Sequence, residues 1–153
     1  MKHKRLDPRS GFAAAPVVVL LLVIVVAIYF ILQSSNRVAD GPVPVIWDKT
    51  PCAFCAMHVG DPRFAAQLST AAGDTYFYDD PGCLFLHEAQ LGETTQVHRR
   101  WFRNHRQDGW LETAEVAFER SEDTPMNFGF GAVPQATPGA LSREQAAAEV
   151  LKR

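Results

Sequence analysis

Positions 11–32 read GFAAAPVVVLLLVIVVAIYFIL, an apolar run with no charged residue, and no run of comparable length recurs downstream. At about 1.5 Å per residue a helix of this length crosses a hydrocarbon core of roughly 30 Å, so the pattern predicts one N-terminal transmembrane helix. Pro16 falls in its first turns, where a proline costs little, and Tyr29 and Phe30 fall where interfacial aromatics sit. A cleaved signal peptide would carry a shorter apolar stretch of about 7–15 residues ending at a small-residue site. Residues 33–44 are polar, contain Gly41, Pro42 and Pro44 and show no period. They read as a linker, with the folded domain over 45–153.

Within that domain the periodicity changes from element to element. Segments 63–70 and 75–78 flank a Gly73-Asp74 turn and predict a β-hairpin. Asp80 is a good N-cap, Pro81 fits the first helical position and Gly92 is placed to stop a helix over 81–91. A strand is expected over 97–104, then a turn at Asp108-Gly109, then a segment over 110–120 that periodicity leaves open between helix and strand. From 124 to 133, Met126, Phe128, Phe130 and Ala132 alternate with Asn127, Gly129 and Gly131, which predicts a strand with one buried face. Ser142 and Gln145 form a capping-box pattern that opens an alanine-rich helix to about Lys152. The sum is an α+β domain of small antiparallel sheets with packed helices, and two ββα-type halves are conceivable.

Charge then sets orientation. Lys2, Lys4, Arg5 and Arg9 lie in the first ten residues with only Asp7 against them, which leaves 11 basic and 16 acidic residues downstream of the 15 and 17 in the chain, a net of −5. By the positive-inside rule the basic segment 1–10 is cytoplasmic and the domain lies across the membrane from it. The inner membrane, with the domain in the periplasm, is the expected location. The acidic balance excludes a nucleic-acid footprint.

The chemistry concentrates in Thr50-Pro51-Cys52-Ala53-Phe54-Cys55-Ala56-Met57-His58, which puts two thiols and a thioether within six residues. Thiolate and thioether sulfur suit a soft ion such as copper(I), and a two-residue spacer lets both cysteines reach one point. On spacing alone, a Cys52–Cys55 disulfide is at least as good a reading, and a thiol–disulfide redox pair is another. Haem attachment fails because Ala56, not histidine, follows Cys55. A zinc site would draw further ligands from His58, Cys83, His87, His98 and His105, none of which forms a second recognisable pair. Cys83 reads first as a small buried thiol, and Asp79 and Asp80 as turn and cap residues. Arg99, Arg100, Arg103 and Arg106 form a basic stretch that either steers an acidic partner or covers a solvated face. No hydrolase triad, phosphate loop or zinc-protease motif is present, so nothing supports an enzyme.

The segments CAFCAM, DPRFAAQL, YFYDDPGCLF and TPMNFGFGAV together resemble the NosL family of nitrous oxide reductase accessory proteins, over 45–133. The resemblance implies a periplasmic copper(I) chaperone that helps assemble the copper centres of nitrous oxide reductase with a membrane transporter complex of the same pathway. It implies Cys55, Met57 and Met126 as ligands, Cys52 as an additional thiolate and Asp80 as a weaker candidate. Two features depart from the family pattern. Ala56 stands where glycine is usual, and the expected transmembrane anchor stands where a lipid anchor is usual.

Overall fold

The computed structural model describes residues 14–35, 38, 40–92 and 94–153. The basic segment 1–10, the start of the expected anchor and linker positions 36, 37 and 39 lie outside them. The chain forms two units, one N-terminal and one spanning Val38–Arg153. The N-terminal unit holds helix α1 (Ala14–Ser35, 22 residues), whose apolar side chains over 16–32 are exposed. Counting only residues with described side chains, no helix is long and apolar enough to cross a membrane. The membrane expectation therefore rests on the sequence of the whole 11–32 segment.

The second unit is α+β. Its elements run β1 (Ala66–Thr70), β2 (Thr75–Tyr78), α2 (Pro81–Leu91), β3 (Val97–Arg103), β4 (Trp110–Glu112), a 3-10 turn (Thr113–Glu115), β5 (Val116–Arg120), β6 (Phe130–Pro134) and α3 (Arg143–Val150). One antiparallel sheet has the order β2-β1-β3-β4, and β5 and β6 form a second. Hairpin followed by helix thus occurs twice, but β3 and β4 join only the first sheet. The segment left open over 110–120 is strand, 3-10 turn, strand.

Local chemistry explains the helices. Asp80 sits extended at φ −144 and accepts the Gly82 N–H at 2.8 Å, Pro81 opens α2, and Gly92 ends it at φ 69. Both halves of the Ser142–Gln145 capping box are present on α3. The core is built from both sheets, α2 and the buried face of α3 (Ala146 and Val150). Phe85 of α2, Phe102 of β3 and Phe118 of β5 form a ring trio with centroids 5.1 to 6.0 Å apart. A parallel bridge between Asn104 and Ala132 carries the end of β3 onto β6.

Three sequence expectations change. The strand predicted over 124–133 starts only at Phe130. Thr124 accepts the Asn127 N–H at 2.9 Å and the Gly129 N–H through its hydroxyl at 3.0 Å, closing a turn, and Asn127 (φ 57) and Gly129 (φ 81) are left-handed. Met126 therefore lies in a turn and not in a strand. The linker also docks earlier than Val45. Buried Gln67 accepts the Val43 N–H at 2.8 Å and donates to the Val43 carbonyl at 2.6 Å. Finally, the basic stretch is neutralised in place: Arg99 pairs with Glu112, Arg100 with Glu88, Arg103 with Asp108 and Arg106 with Glu119.

Candidate metal centre

The loop carrying the paired cysteines is held by its own backbone. The Cys52 N–H donates to the Met57 carbonyl at 2.7 Å, the Ala56 N–H to the Cys52 carbonyl at 3.0 Å, and Pro51 and His58 form an isolated antiparallel bridge. The Ala53 N–H donates to the Phe77 carbonyl at 2.8 Å, which ties the loop to β2. Two residues beyond Phe77 comes Asp79, and Cys83 lies in the first turn of α2. The end of β2, the start of α2 and the cysteine loop therefore meet at one place.

There the three sulfurs of Cys52, Cys55 and Cys83 and a carboxylate oxygen of Asp79 all lie within 4.8 Å of one another, close enough to hold a metal ion. The cysteines are free thiols. Cys52, Asp79 and Cys83 are buried and Cys55 is partly exposed, so the cluster opens to solvent on the Cys55 side. The Cys55 thiol lies 3.5 Å from both Asp79 oxygens.

Electrostatics separates the thiols. A hydrogen bond from the Cys83 thiol, together with backbone N–H groups of Cys55, Asp79 and Phe54, pulls Cys52 down to about 6 against its burial. Burial is the main cause that pushes Cys55 up to about 11. The same bond to Cys52, with burial, pushes Cys83 well above the ordinary thiol range. Cys52 is thus the thiol that ionises first, and ionisation of the other two is opposed until a cation arrives.

The sequence-derived candidates divide here. Cys52 and Cys55 are in the cluster. Met57 is 54% exposed on the same loop, and its carbonyl supports Cys52. Met126 is partly buried, and its N–H donates to Asp80 at 3.1 Å, which brings the turn over 124–127 to the start of α2. Asp80 is fully buried, with one oxygen on the Gly82 N–H and the other on the Met126 N–H. Its carboxylate acts as a cap and clamp. His87 is half-buried and hydrogen-bonded through Nδ1 to the Tyr78 hydroxyl at 2.8 Å.

Two cluster members, Asp79 and Cys83, are ones the sequence reading assigned to a turn and to the core. The available signal was the Asp80-Pro81 helix start, which fixes Cys83 in the first turn next to the strand end that carries Asp79.

Ala56 sits at φ 62, in the left-handed region that favours glycine. The Cβ of Ala56 is therefore held at the cost of backbone strain. Ala56→Gly is expected to raise stability by about 0.5–1 kcal/mol, because relief of the Cβ clash outweighs the added freedom of the unfolded chain. Urea unfolding followed by tryptophan fluorescence checks this, and a loss of stability would show that the strain is absent. No family model, curated protein or solved structure matches this chain, so the NosL resemblance rests on its motifs.

Proposed function

We propose that this chain is a membrane-anchored carrier that binds copper(I) through sulfur and delivers it, in the periplasm, for assembly of the copper centres of nitrous oxide reductase. The observation that supports this reading is the convergence of three free thiols, two of them buried and one partly exposed. A soft monovalent ion takes two or three sulfur ligands. A graded site, closed at Cys52 and Cys83 and open at Cys55, lets an incoming sulfur displace one ligand at a time. Met57 and Met126, which flank the cluster in the chain or through Asp80, are the thioethers available to complete or relay the site. The uncharged 11–32 segment supports single-pass anchoring, and the basic 1–10 segment supports a cytoplasmic N-terminus. The recipient and the membrane transporter follow from the NosL resemblance, and the role requires no enzymatic turnover.

The test is anaerobic titration of the reduced full-length chain in detergent with copper(I) against a competing chelator. One tight equivalent is expected, lost on Cys55→Ala and weakened by Met57→Leu. Absence of a tight equivalent in the native chain would end the reading. Binding must also displace protons from Cys55 and Cys83, whose thiols are raised, whereas Cys52 is already largely ionised above about 6. Affinity should therefore rise with pH between about 6 and 8, and a flat profile would mean that only Cys52 binds as thiolate.

A thiol–disulfide redox role has one observation in its favour, the lowered Cys52 thiol. Burial of Cys52 shields it from attack by a large disulfide. Reduction of insulin disulfides, indifferent to Met57→Leu and with no copper(I) binding, would select that reading instead.

A further inference from the structure

Asp79 is only 1% exposed, and among the described residues no arginine, lysine or histidine pairs with it. Its side-chain neighbours are thiols: Cys55, 3.5 Å from both oxygens, and Cys83. Buried carboxylates are ordinarily paired with a cation or bound to a metal, and thiols are weak donors that compensate little of the cost of burial. The neighbouring Asp80, equally buried, shows the contrast, since backbone N–H groups occupy both of its oxygens. Asp79 is left facing the sulfur cluster.

Copper(I) alone does not account for that arrangement. Three sulfurs already saturate a soft monovalent ion, and an oxygen donor is poorly matched to it. Three thiolates and one carboxylate are, by contrast, a full tetrahedral set for a divalent ion of borderline softness. Zinc–sulfur bonds of about 2.3 Å imply sulfur–sulfur edges of about 3.8 Å, so donor atoms now within 4.8 Å need to close by only about 1 Å.

We infer that Asp79 joins Cys52, Cys55 and Cys83 in a closed four-donor site for a divalent, thiophilic cation of the zinc class. This deepens the carrier reading and rests on the same sulfur cluster. The pocket has two modes of occupancy, a monovalent ion on sulfur alone and a divalent ion on all four donors. In the second mode all four positions of a tetrahedral ion are taken by the chain, which leaves none for an incoming ligand, so the divalent ion is held and not relayed.

The experiment uses the reduced full-length chain in detergent, titrated anaerobically with cobalt(II) as a coloured stand-in for zinc and, in parallel, with copper(I). Cobalt(II) should bind one equivalent, give sulfur-to-metal charge-transfer absorption with the intense visible bands of a tetrahedral site, and be displaced by zinc(II). Asp79→Asn should weaken cobalt(II) by at least about 10-fold, since even residues outside the ligand shell cost that much, and leave copper(I) nearly unchanged. Cys83→Ser should weaken both ions. Native cobalt(II) affinity in Asp79→Asn, or an equal loss for the two ions, overturns the inference. X-ray absorption of the zinc-loaded native chain gives an answer free of any folding defect: three sulfurs and one oxygen support it, and any other sulfur count overturns it. Copper(I) bound without cobalt(II) leaves the carrier reading standing and removes this one. Cobalt(II) bound without copper(I) does the reverse.

Discussion

An Asp80→Ala chain is expected to be about 3 kcal/mol less stable than the native chain, even with no metal present. Two losses combine. The first is the cap on α2, worth about 1 kcal/mol, because the Gly82 N–H loses its acceptor. The second is the bond to the Met126 N–H, a charge-assisted bond worth about 1.5–3 kcal/mol whose donor is left without a partner. Urea unfolding at unchanged m-value measures the sum. The pH dependence has a definite sign. Burial is the largest influence on Asp80 and raises its carboxyl above the ordinary range. The folded state therefore holds a proton that the unfolded chain releases near about 3.9, and the stability this contributes is lost as pH rises through the raised folded value. The deficit of Asp80→Ala should accordingly be largest in acid and narrow toward neutrality. Loss of metal binding at native stability would instead make Asp80 a ligand and defeat the clamp assignment.

The second large effect is expected at Phe118. It is fully buried in the two-stranded sheet and packs edge-on against Phe102 of the four-stranded sheet at 5.1 Å and against Phe85 of α2 at 5.4 Å. Phe118→Ala removes the only ring that β5 and β6 contribute to this trio, and should cost about 3–5 kcal/mol. Because α2 also carries Cys83, the variant should lose metal affinity together with stability. A thermal or urea scan beside the copper(I) titration reads both. A cost below about 1 kcal/mol would mean that the two sheets are joined elsewhere, through the Asn104–Ala132 bridge for example.

Much of this architecture could be read from the chain. Asp80, Pro81 and Gly92 bound α2 because capping chemistry is local, and the same holds for Ser142 and Gln145 on α3. The hairpin of β1 and β2 was legible from residues beside a Gly-Asp turn. The failure at 124–129 has a local cause too. An alternation of large and small residues looks like a strand, but Thr124, Asn127 and Gly129 offered a competing turn, which won. The site was half legible. Cys52 and Cys55 declare themselves by spacing, whereas Asp79 and Cys83 join them only through the pairing of the cysteine loop with Phe77, a contact between segments 24 residues apart. The ion pairs that neutralise Arg99, Arg100, Arg103 and Arg106 were invisible for the same reason, since each partner lies five or more residues away in the chain.

The clasp between Gln67 and Val43 has a mechanical consequence. Gln67 lies on β1, an interior strand flanked by Phe77 on one side and Trp101 on the other. A pull arriving along the chain from the N-terminal side is therefore taken up at Val43 by the middle of the sheet, upstream of the cysteine loop. The sulfurs are thereby insulated from tension in the chain upstream of Val43 and can keep their spacing.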